Sequence, residues 1–112
     1  MTKLGTLLFA CAASFFCFSA TGYADDFVID VRTQEEYESG HVENSINIPF
    51  NKIVEGVTAN DIKTEDTIYV YCLSGKRAGR AKNALNNAGY ANVVSLGGYE
   101  DAMVYFKEHP LK

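Results

Sequence analysis

Short apolar runs alternate along this chain with stretches in which apolar residues recur at helical spacing. Phe27-Val28-Ile29-Asp30-Val31 is rich in β-branched residues and predicts a buried strand, with Asp30 and Arg32 marking its end. Thr33 followed by Glu36 forms a capping-box signature, so a helix starts there and stops at Gly40. Ser45-Ile46-Asn47-Ile48 predicts a second short strand halted by Pro49, residues 50–57 a short helix, and residues 59–66 a polar connection. Thr67-Ile68-Tyr69-Val70-Tyr71 is the central strand. Residues 77–88 then place Ala78, Ala81, Ala84, Leu85 and Ala88 on one helical face, with Gly89 in the position that ends a helix. Side chains that small predict close packing on a flat surface. Residues 92–96 read as a strand, Gly97-Gly98 as a tight turn, and residues 99–108 as a closing helix before Pro110. Strands alternating with helices imply an α/β fold, a small doubly wound parallel sheet flanked by helices.

The first residues break this rhythm. Met1-Thr2-Lys3 precedes an uncharged apolar run over residues 4–20, and Gly22 and Ala24 are small residues at the positions a signal peptidase reads. This is the pattern of a secretory leader cut after Ala24. It places a signal peptide at residues 1–24, one domain at residues 25–112, and the mature protein in the periplasm with no stable membrane anchor. The 88 residues after the cut suffice for one small domain. Lys3 is the leader's only charge, so the remainder carries 9 basic against 14 acidic residues, a net of −5 that disfavours nucleic acid. Four of those nine cations, Lys76, Arg77, Arg80 and Lys82, nevertheless fall within seven positions.

Those cations adjoin the chemistry. Of three cysteines, Cys11 and Cys17 lie in the leader, so Cys72 is the one thiol left and has no internal disulfide partner. It sits where the central strand runs into Leu73-Ser74-Gly75-Lys76-Arg77 and then a helix. A loop between a strand end and a helix start points backbone N–H groups inward, and the helix dipole adds positive charge there. Lys76 and Arg77 add two formal cations, and Gly75 lets the loop turn. Such a cradle favours a nucleophilic thiolate. An inert core cysteine has no use for glycine and two cations within five positions. Three chemistries suit the arrangement: attack on sulfane sulfur, attack on phosphorus, and attack on arsenate or a protein disulfide. Four residues separate Cys72 from Arg77, one fewer than in a phosphatase loop that must surround a tetrahedral dianion, and the tighter loop suits a single sulfur atom. A C-x-x-C pair is missing, since Ser74 stands near Cys72 without a second cysteine. His41 and His109 are far apart in sequence, read as structural and surface residues respectively, and with the lone cysteine they form no metal-ligand pattern.

Three signatures in order then resemble one family. Val28-Ile29-Asp30-Val31-Arg32, Glu36-Tyr37, Gly40-His41-Val42 and Ile46-Asn47-Ile48-Pro49 form the first, Tyr69-Val70-Tyr71-Cys72 with its six-residue loop the second, and Val94-Ser95-Leu96-Gly97-Gly98-Tyr99 the third. The chain resembles the single-domain rhodaneses, thiosulfate sulfurtransferases, and among them the small exported phage-shock-protein-E type. The resemblance covers the chain after the leader and implies a rhodanese-like fold. It implies that Cys72 carries a persulfide and that the backbone of Leu73, Ser74, Gly75, Lys76 and Arg77 cradles it. Thiosulfate is then the donor, and cyanide, a small thiol or a periplasmic protein thiol the acceptor, in a double displacement without metal or organic cofactor by a monomer. Asp30 and Arg32 read as structural residues, each paired or hydrogen-bonded near the strand ends. A persulfide or anion carrier serving a partner protein is the alternative, with a phosphatase or arsenate reductase third.

Overall fold

The computed structural model describes residues 24–111, so the predicted leader up to residue 23 lies outside the described residues. Its strands are β1 (Asp26–Asp30), β2 (Ile46–Asn47), β3 (Thr67–Tyr71) and β4 (Val93–Ser95). Its helices are α1 (Gln34–Glu38), α2 (Ile53–Ala59) entered through a 3-10 turn at Phe50–Lys52, α3 (Lys76–Asn87) and α4 (Tyr99–Glu108). All strand pairs are parallel, in the order β2-β1-β3-β4. This is the predicted α/β architecture. The chain steps outward from β1 to β2 and then returns across β1 to β3. The carboxyl ends of β1 and β3 therefore flank the point where winding reverses, the place where sites gather in such sheets. Asp30 and Tyr71 end those strands at the same level.

Side-chain alternation along β3 divides the core. Ile68, Val70 and Cys72 face a cluster that includes Ile53 and Val57 of α2 and Ala78, Ala81 and Leu85 of α3. Tyr71 faces the opposite layer, with Val28, Val42 and Ala102 of α4. The alanine face of α3 packs as expected through Ala78, Ala81 and partly buried Ala84, whereas Ala88 is the exposed C-cap. Gly89 follows at φ +101°, a conformation that side chains rarely adopt.

Several boundaries differ from the sequence expectation for local reasons. The second strand keeps only Ile46 and Asn47, because Ser45 closes a turn onto the Val42 carbonyl and Pro49 has no N–H to give. The segment expected as one helix over residues 50–57 splits into a 3-10 turn and α2, which runs two residues further. The polar connection contributes Ile62 to the core, and buried Asp66 ties its turn by accepting the N–H groups of Lys63 at 2.7 Å and Asp25 at 2.9 Å. Among the described residues no helix is long and apolar enough to cross a membrane.

Candidate active site

Cys72 leaves the carboxyl end of β3 with its N–H bonded to the Gly97 carbonyl at 3.0 Å, and the residue is fully buried. The chain then reverses at Gly75, whose φ of +101° lies in the left-handed region and makes it the N-cap of α3. No side chain of Gly75 can cap that helix. The sulfur takes over this task, accepting the N–H of Gly75 at 2.9 Å and that of Ala78, the third helical residue, at 3.4 Å. A helix start leaves its first N–H groups without intrahelical partners, and a sulfur anion placed there gains both those donors and the positive end of the dipole.

The loop is held from the other side by Gly97-Gly98, the segment expected only as a tight turn. Ser74 forms an isolated bridge with Gly98. A Cβ at Gly98 would stand 2.5 Å from the Leu73 carbonyl oxygen, and a Cβ at Gly75 would stand 3.3 Å from the Gly97 Cα. Two glycine backbones thus touch where side chains would force the loop away. Asp101 fixes the Gly98 N–H through a 3.2 Å hydrogen bond.

The predicted site residues are not equivalent in space. Of the five predicted cradle residues, Gly75 brings its backbone N–H to the sulfur, and Ala78, not foreseen, supplies the second. Leu73 is 60 % exposed and Ser74 is exposed at the loop surface. Lys76 is also exposed, and the ion pairs among the described residues do not include it. Arg77 turns to α1, donating from Nη1 to Glu36 Oε1 at 2.9 Å and from Nη2 to Glu36 Oε2 at 3.1 Å. The guanidinium, helped by the Thr33 capping bonds, holds the Glu36 carboxyl down at about 2. Hydrogen bonding to Glu36 raises Arg77 in turn, against the opposing cost of its burial.

Behind the loop, Asp30 and Arg32, expected as structural residues with partners near the strand ends, bond to each other. Arg32 Nε donates to Asp30 Oδ1 at 2.9 Å and Nη2 to Oδ2 at 2.7 Å, with Asp30 fully buried and Arg32 4 % exposed. Hydrogen bonding to Asp30 raises the Arg32 guanidinium against the opposing cost of its burial. Nη2 also reaches the Gly40 carbonyl, and the guanidinium carbon lies 4.6 Å from the Tyr99 ring centroid. The Tyr71 hydroxyl donates to Asp30 Oδ2 at 2.9 Å and accepts the Val42 N–H at 3.0 Å, and burial pushes its phenol up to about 12.

Both histidines are engaged locally. His41 stacks on Tyr37 at 3.7 Å and donates from Nδ1 to the Tyr37 carbonyl, while His109 makes the same contacts with Tyr105. The hydrogen bonds to the Cys72 sulfur come from backbone N–H groups alone among the described residues. The arrangement can stabilise a sulfur-centred anion and lacks the imidazole that a protease-like thiol uses as base.

Comparison with known proteins agrees with this geometry. Residues 19–103 match the rhodanese-like domain. The chain is 37 % identical over 101 residues to thiosulfate sulfurtransferase PspE of Escherichia coli K12, covering 90 % of this chain and 92 % of that one. It is 37 % identical over 82 residues to chloroplastic thiosulfate sulfurtransferase 16 of Arabidopsis thaliana, covering 63 % of this chain and 68 % of the relative. A solved structure described as a rhodanese with anions from Escherichia coli aligns with TM-score 0.65 and 38 % identity, over 68 % of this chain and 89 % of that one.

Proposed function

This chain belongs to the rhodanese-like domain family, and from that premise we propose that it moves sulfane sulfur from thiosulfate to cyanide or a thiol through a persulfide on Cys72. The observation that carries the proposal is the Cys72 sulfur at the start of α3, buried and bonded to the N–H groups of Gly75 and Ala78. In the donor step the thiolate attacks the outer sulfur of thiosulfate. A new S–S bond forms, the old one breaks, and its electron pair leaves with sulfite. The charge of minus three is the same on both sides, so no proton has to move. This accounts for a thiol bonded to two backbone N–H groups with both histidines engaged elsewhere: sulfite is already a stable anion and needs no general acid. Cyanide or an acceptor thiolate then attacks the outer persulfide sulfur and restores the Cys72 thiolate.

The loop N–H groups of Leu73 through Arg77 surround the added sulfur, and exposed Lys76 draws the anionic donor inward. We place the protein in the periplasm after removal of residues 1–24, with a small thiol or a protein thiol of that compartment as natural acceptor. Incubating purified protein with thiosulfate tests the proposal. A mass gain of about 32 Da that maps to the Cys72 peptide and is discharged by cyanide as thiocyanate is expected. A reduced thiol that gains no sulfur would exclude persulfide chemistry and leave phosphate or arsenate compounds to be tried.

The glycine contact behind the loop offers a second check. Gly98→Ala places its methyl carbon against the Leu73 carbonyl, a backbone atom that can give way only if the loop moves. Turnover should fall by about tenfold or more while stability falls by only about 1–3 kcal/mol. The amide resonances of Gly75 and Ala78 should shift together. Unchanged turnover and unchanged resonances would mean that the loop does not depend on this close approach.

A further inference from the structure

The ion pair between Arg77 and Glu36 has more structure than stability requires. A single ion pair near the surface adds little to stability. Here the carboxylate is held from both sides: Oε1 accepts the Thr33 N–H at 3.0 Å and the Thr33 hydroxyl at 3.1 Å, while the two oxygens together take the Arg77 fork. The side chains are 27 % and 29 % exposed, neither sealed in the core nor loose in solvent. They connect α1, which follows β1, with the first turn of α3, which follows β3, across the edge where the cysteine loop sits. Arg77 immediately precedes Ala78, a donor to the sulfur. A guanidinium carries five N–H groups in one plane. Glu36 takes one from each terminal nitrogen, so three remain for another acceptor.

We propose that Glu36 is a positioning residue for the donor half-reaction, holding the Arg77 guanidinium at the mouth of the cysteine cradle with its remaining N–H groups available to the sulfonate end of the donor. The inference rests on the persulfide reading above. When the outer sulfur enters the cradle, the three sulfonate oxygens stay at the rim. A planar fork fixed in place suits them better than a mobile ammonium. As the S–S bond breaks, the electron pair moves onto this group, so a cation oriented before the step favours departure of sulfite.

Glu36→Gln separates this role from simple folding, because glutamine also completes a capping box at this position while removing the charge that locks the fork. In a double displacement, kcat/KM for each substrate reports its own half-reaction. We expect kcat/KM for thiosulfate to fall about three- to tenfold, with kcat/KM for cyanide and the discharge of preloaded persulfide by cyanide unchanged. Arg77→Gln should lower the thiosulfate value by about ten- to a hundredfold, and adding Glu36→Gln to it should cost nothing further. Equal losses in both half-reactions would make Glu36 merely structural. Additive losses would show that it does not act through Arg77, and a higher kcat/KM for thiosulfate would show that it masks the cation; each overturns the proposal. Wild-type protein that takes no sulfur from thiosulfate overturns the parent reading, and this inference with it, before any variant is made.

Discussion

Cys72→Ser is expected to lose sulfur loading and thiocyanate release completely while keeping the fold. The oxygen of serine is a far weaker nucleophile than a thiolate and cannot become a persulfide, so turnover should drop to the uncatalysed background. The structural position, in contrast, suits serine. The sulfur acts as the cap of α3 by accepting the Gly75 and Ala78 N–H groups, and serine is among the favoured capping residues. Thermal unfolding should therefore shift by only a few degrees, which ties the loss of turnover to chemistry. Cys72→Ala provides the contrast. It removes the acceptor as well, leaving two N–H groups of a buried helix start unpaired, and should cost about 1 kcal/mol or more beyond the serine variant. A serine variant that retains even a tenth of the turnover would mean that Cys72 does not carry the transferred sulfur.

The parts of this site that were legible in the sequence are those built from neighbouring residues. The strand of β3, the thiol, the turning glycine and the start of α3 lie within one short segment, and their order already implies N–H groups converging on sulfur. Thr33 and Glu36 likewise announce a capping box, and both of its bonds are present. What the sequence did not disclose are the second uses of the same residues. Glu36 meets Arg77 across 41 positions, a contact created by the adjacency of β1 and β3 rather than by any local pattern. Two cations beside a thiol read as two anion attractors, yet one of them is bonded to a carboxylate. Gly97-Gly98 read as a turn because a turn is all that two glycines specify locally; the close approach to Leu73 and Gly75 depends on β4 lying beside β3. Ala78 was read for its methyl group, which it does bury, and not for its N–H. A regular helix pattern carries the position of a side chain but does not say which first-turn donors find a ligand.

Asp30→Ala should lower the unfolding free energy by about 3–5 kcal/mol, a large part of the 5–15 kcal/mol typical of a domain. The reason is what it leaves behind. Arg32 is 4 % exposed, and without Asp30 its guanidinium keeps the Gly40 carbonyl and the Tyr99 ring but has no counter-charge in the interior. The Tyr71 hydroxyl also loses its 2.9 Å carboxylate acceptor and keeps only the longer 3.4 Å contact with the Ser45 hydroxyl. Urea denaturation measures the loss. A companion variant separates the burial of an unpaired charge from the worth of the pair itself: Asp30→Leu combined with Arg32→Met removes both charges and should be less damaging than Asp30→Ala alone. A loss below about 1 kcal/mol for the single variant, or a double variant worse than the single, would show that the pair does not organise this layer. The location of the pair links the result to function. Arg32 anchors the segment after α1 through Gly40 and the start of α4 through Tyr99; α1 supplies Glu36, and α4 follows directly on Gly97-Gly98, which borders the cysteine loop. Under conditions where the weakened protein is still folded, thiosulfate turnover should therefore fall as well, because the loop is positioned by elements that this buried pair holds together.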